Sequence, residues 1–210
     1  MARPRDNEKR RELAHRAIAV LEEKGLGIST EQLARELDIN RTTLLYHFPS
    51  NAEIIHAVLG ELLAEQATYV EAEVAAADHP IDKLYARVRA VHGFHHGNER
   101  RLLFLTQAVA VAGGASVAEI VKNAADLFAP SRRALAEGIE RGIEEGTVHP
   151  CDAKAVVTLV RAVIDGLTIQ RVTEGIALEA PHRFLWEHVL APLKKSPKKN
   201  AVPSSSPRKR

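Results

Sequence analysis

The sequence predicts an all-α protein, with a three-helix helix-turn-helix unit at its N-terminus and a larger helical body behind it. Three observations lead there. Apolar residues recur at helical rather than strand spacing. Strong helix formers (Ala, Leu, Glu, Arg) abound, while aromatics are only 4% of the 210 residues. Glycines and prolines then cut the chain into helix-length segments.

Taken in order, Leu13, Ala14, Ala17, Ile18 and Leu21 form one apolar stripe, predicting an amphipathic helix over 9–24 that Gly25 and Gly27 stop. Ser29-Thr30-Glu31-Gln32 has the capping-box pattern and opens a short helix with Leu33, Ala34 and Leu37 inward. A turn at Asp38-Ile39 leads to Asn40, an N-cap for a third helix, Arg41–Phe48, which Pro49 ends. Further helices are expected over 52–77, 81–96, 99–112 and 116–145, the last kinked at Ala129-Pro130. After a turn at 146–150, Asp152 caps a strongly apolar helix reaching Thr173, and a final helix covers 182–193. The expected organisation is a DNA-binding unit over 1–51, a body over 52–193, and a disordered tail over 194–210. The sequence has no internal repeat.

Charge is unevenly spread. The net value is +2, but residues 1–51 carry +1, residues 52–193 carry −6, and the tail carries +7. An acidic body is a poor surface for nucleic acid, and the two ends are better ones. The single cysteine, Cys151, excludes an intramolecular disulfide and a multi-thiolate zinc site. The charged first residues do not read as a secretory signal, and no apolar run approaches the roughly 20 residues that span a bilayer. A cytoplasmic protein with no membrane partner is expected.

Two short helices joined by a tight turn and buttressed by a third form a helix-turn-helix, whose last helix can lie in the major groove. In Arg41–Phe48, Leu44 and Phe48 can pack inward. Arg41, Thr42, Thr43, Leu45, Tyr46 and His47 are left on outward or end positions, and their polar members suit phosphate oxygens and base edges.

The run Ile39-Asn40-Arg41-Thr42-Thr43-Leu44-Leu45-Tyr46-His47-Phe48 resembles the recognition-helix signature of the tetracycline-repressor (TetR) family of transcriptional regulators. The likeness extends upstream through Leu33-Ala34 and downstream to Asn51-Ala52-Glu53-Ile54. It implies that Thr43, Tyr46 and His47 touch phosphates, that Arg41 and Thr42 face base edges, and that Ser29 lies at the DNA backbone. The whole DNA-facing set is then Arg10, Arg11, Ser29, Thr30, Asn40, Arg41, Thr42, Thr43, Leu45, Tyr46, His47 and Asn51. Thr42 stands where the family usually has glycine, Leu45 where tyrosine is frequent, and Asn51 where a lysine is common. Asp38 occupies a turn position where glycine is often found.

The resemblance also implies a homodimer on a near-palindromic double-stranded operator and a small, largely apolar effector of unknown identity. In that picture Ala162 and Gly166 allow close helix approach, with Phe184, Leu185, Val189 and Leu190 as apolar partners. The pocket region takes in Val88, Val91, His92, His95, Phe104, Gln107, Val111, Phe128 and Ile169. The cluster His92, His95 and His96 has a spacing compatible with a metal, but no Cys, Asp or Glu lies beside it in sequence, so neither metal nor cofactor is expected. A glycine-rich phosphate loop, a Gly-x-Ser-x-Gly elbow and a His-Glu-x-x-His pair are all missing, and Cys151 sits in a turn. The protein is thus expected to be a repressor rather than an enzyme. A helical scaffold, or a constitutive DNA binder without effector, is the alternative.

Overall fold

The computed structural model describes residues 7–98 and 115–195. Among the described residues the elements are α1 (Asn7–Lys24), α2 (Thr30–Glu36), α3 (Arg41–His47), α4 (Asn51–Ala75), α5 (Pro80–Phe94), α6 (Ala115–Glu144), α7 (Ala153–Glu174) and α8 (Glu179–Leu185). A single π turn, Trp186–Leu190, and a 3-10 turn, Ala191–Leu193, follow α8. The only strand-like pairing among them is an isolated bridge between Val148 and Lys194. The all-α expectation holds. The segment 99–112 and the tail from 196 onward lie outside the described residues.

Local chemistry explains most of the boundaries. Ser29 caps α2 in a complete capping box with Gln32. Asn40 caps α3 by accepting from the Thr43 backbone N–H at 2.7 Å, and Asp152 caps α7 through the Ala155 N–H at 2.9 Å. The cap of α4 is Ser50, which starts that helix at Asn51. Asp38 has a left-handed backbone, φ 53°, and so occupies the kind of position that favours glycine. Asp tolerates it because its short polar side chain lowers the usual cost.

The long helix α6 carries Pro130 inside it and covers the expected 116–145 span, to within a residue, as one helix. One expectation is corrected. The final helix is not one α-helix: it begins at Glu179 and widens into the π turn at Trp186.

Apolar residues gather in two cores. The first joins Leu13, Ala17, Leu33, Leu37, Leu44 and Phe48 to Ile54, Val58 and Leu62 of α4. The second joins Val70 and Val74 at the other end of α4 to Ile81, Leu84 and Val88 of α5, Ile139 of α6, and Val160 and Ile164 of α7. Helix α4 has 25 residues, about 37 Å at 1.5 Å per residue, and enters both cores. Phe94, at the far end of α5, packs against the first core. Helix α4, and α5 through Phe94, thus both touch the core of the three-helix unit.

Candidate functional site

Helix α3 is held from below by Leu44 (0% exposed) and Phe48 (1%), both locked in the first core. Its other face is open: Arg41, Thr42 and Tyr46 are exposed, while Thr43 and Leu45 are half-buried. Arg41 Nε donates to Thr30 Oγ1 at 3.3 Å, which ties the start of α3 to the start of α2. Thr43 Oγ1 donates to the capping oxygen of Asn40 at 2.8 Å. Ser29, Thr30, Asn40 and Arg41 therefore form one polar patch at two helix N-termini. Backbone N–H groups and the positive dipole ends there favour an anion.

His47 is a correction. It was expected outward, but it is 5% exposed and packs beside Tyr46 and Phe48. The reason is helical phase: residues three and four apart share a face, so 44, 47 and 48 turn inward together. Its Nδ1 is enclosed with no hydrogen-bond partner among the described residues.

The basic residues of α1 are also engaged. Arg10 Nε donates to the His47 carbonyl at 3.2 Å, its guanidinium lies 5.1 Å from the Phe48 ring centroid, and Glu53 is 3.5 Å away. Arg11 pairs with Glu61 at 3.0 Å, and His15 lies 2.7 Å from Glu65. These contacts join α1 to α4. Arg16 donates to the Leu37 carbonyl and fixes the end of α2. Asn51 is exposed at the start of α4.

In the body, Val88, His92 and His95 are buried, while Val91 and Phe128 are half-buried. Phe104, Gln107 and Val111 lie outside the described residues. Ile169 is corrected: it is 62% exposed on the outer side of α7 rather than lining an interior. Leu185 (4%) and Leu190 (0%) are corrected in the opposite sense, since both belong to the chain's own core. Val189 is partly buried against that core, and Phe184 is 63% exposed. Ala162 is exposed and Gly166 half-exposed, and a Cβ at Gly166 would meet nothing within 4 Å.

The histidine cluster resolves into separate contacts. His92 Nε2 donates to the Ile164 carbonyl at 3.1 Å, which leaves its Nδ1 as an acceptor for His182 Nε2–H at 2.7 Å. His96 Nδ1 accepts from Arg171 at 2.8 Å. No group of three metal-ligating side chains occurs among the described residues. His182, which no local pattern points to, stacks on His92 and pins α8 to α5 and α7. Burial, and then the neighbouring His92, pushes the His182 imidazole down from 6.5 to about 4. His92 is also lowered, chiefly by burial. Cys151 is shifted upward by burial, the reverse of an activated thiol.

A depressed histidine has a defined consequence. Its neutral native form loses ground once the unfolded chain takes up the proton, so stability should fall as pH drops from about 6.5 towards 4. Thermal melts across that window are expected to show a steeper fall for the parent chain than for His182→Gln. Equal slopes would remove the histidine pair as the cause.

Comparison with known proteins gives the same architecture. Residues 13–58 match the family described as "Bacterial regulatory proteins, tetR family". No curated protein matches the chain. Among solved structures, a TetR transcription regulator from Haloarcula marismortui is 16% identical with a TM-score of 0.74, covering 90% of this chain and 100% of that one. The TetR family transcriptional regulator PfmR from Thermus thermophilus is 19% identical with a TM-score of 0.62, covering 87% and 99%. AibR, solved in complex with isovaleryl coenzyme A and operator DNA, is 14% identical with a TM-score of 0.56, covering 81% and 89%. The chain thus carries over 13–58 the N-terminal domain of the tetR family of bacterial regulatory proteins, and over most of its length it has the fold of the solved TetR regulators.

Proposed function

We propose that this regulator is a homodimeric repressor that sits on a near-palindromic operator and leaves it when a small, largely apolar effector enters the body. The observation that carries the reading is the open face of α3. Arg41, Thr42 and Tyr46 are presented outward beside the polar patch of Ser29, Thr30 and Asn40, on a helix anchored by Leu44 and Phe48. In this reading Arg41 and Thr42 meet base edges, while Tyr46, Thr43 and Asn51 meet phosphates.

Dimerisation is supported by the outer side of α7. Ala155, Leu159, Ala162, Gly166, Ile169 and Thr173 recur at alternating spacings of four and three, and none of them is buried. Leu159 is 49% exposed, and Phe184 of α8 adds a ring. A seam with that period fits a second helix of the same kind. Two-fold pairing would present two copies of α3 to two half-sites. Effector control is supported by α4, whose two ends lie in the two cores, and by AibR, which was solved with both a ligand and operator DNA. Release requires the effector to prefer the arrangement that does not fit DNA.

Transcription in vitro from a promoter overlapping the bound sequence tests the sign of control. Added protein is expected to lower transcript yield. A rise in yield would make the protein an activator.

A further inference from the structure

Arg87, on α5, is an unusual residue to find inside a helical body. It is 9% exposed, yet it carries a charge at all ordinary pH values. Its described partners all engage one nitrogen: Nη1 donates to Ser131 Oγ of α6 at 2.7 Å, and Glu71 Oε1 of α4 lies 3.6 Å from the same atom, long for a hydrogen bond. The Glu71 side chain is 53% exposed, so water already screens much of its charge. The Phe128 ring sits 5.7 Å from the guanidinium carbon. Nε and Nη2 have no hydrogen-bond partner among the described residues, nor are they fully walled in. Arg132, next to Ser131, adds a second positive charge that disfavours the first.

A buried guanidinium is costly unless its donors are met, and a bidentate carboxylate would meet two of them at once. Glu71 does not provide that contact. The Nε–Nη2 edge is the side of a guanidinium that takes two oxygens of one anion in parallel. The half-buried Phe128 ring supplies apolar surface beside the guanidinium.

We propose that the effector is an amphipathic anion: an apolar body carrying a carboxylate or phosphate head, whose oxygens take the Nε–Nη2 edge of Arg87 between α4, α5 and α6. This rests on the effector reading above and narrows its chemistry. It also gives the signal a route. An oxyanion on Arg87 competes with Glu71 for the guanidinium, and Glu71 sits on the helix whose other end, at Ile54, is buried in the first core.

The test uses the full chain with decanoate, decyl phosphate and decanol as probes, read by thermal shift and by release from DNA. One or both anions are expected to stabilise the parent protein and release DNA at concentrations at least ~10-fold below decanol, the worth of one charge-assisted contact. Whichever anion is preferred identifies the head group. Arg87→Met should abolish that preference while melting at or above the parent temperature, and Arg87→Lys, which keeps the charge but loses the fork, should weaken anion binding several-fold. Equal response to decanol and the anions would overturn the anion proposal and leave the effector reading standing. No response to any of the three probes would count against both. Retained anion preference in Arg87→Met, or an Arg87→Met chain melting far below the parent, would make Arg87 a structural residue and overturn the proposal.

Discussion

Gly166→Glu is expected to give a folded monomer that binds operator DNA about 10²–10⁴-fold more weakly than the parent chain. The magnitude is that of losing the second of two linked binding events. The fold should survive, because a Cβ at Gly166 meets nothing within 4 Å and glutamate is the better helix former. The seam of Ala155, Leu159, Ala162, Gly166 and Ile169 should not survive, because a charge from each copy would be buried where two helices meet. Light scattering gives the mass and a DNA titration gives the affinity. A Gly166→Glu protein that remains a dimer would move the interface away from α7.

Phe48→Ala is expected to have the largest effect on stability. Phe48 is 1% exposed, closes the first core and carries the ring over which Arg10 lies, so truncation should cost about 3–5 kcal/mol. The loss should fall on the reading head: DNA binding fails and a low-temperature unfolding step appears, while the dimer mass is unchanged because the second core shares none of its residues. One cooperative transition shifted as a whole would show that α4 fuses the two cores into a single unit.

The legible parts of this molecule are those whose cause lies within a few residues. The stripe Leu13–Leu21, the capping box at Ser29 and the caps Asn40 and Asp152 are short-range patterns, and each appears in the structure as its chemistry requires. Distance in sequence hides the rest. His92 and His182 are 90 positions apart, and nothing near either one announces the other. The resemblance sets Leu185 and Leu190 at a dimer seam, but both pack into the chain's own core, one just before the π turn and one at its end. His47 was misplaced because a polar residue in a recognition helix invites an outward reading, although its phase with Leu44 and Phe48 was available. Arg87 is illegible for a related reason: a charged residue between apolar neighbours reads as solvated, and only the packing of α4 and α6 around it shows otherwise.

The central claim is that two copies of α3 read two half-sites at once. Selection of bound sequences from a random duplex pool by the full-length protein, at one fixed moderate salt concentration, tests it most directly. An enriched inverted repeat with half-sites about one helical turn apart is the predicted result. Salt-sensitive binding with no enriched motif would contradict it, and would shift the DNA contact from α3 to the basic segment 194–210.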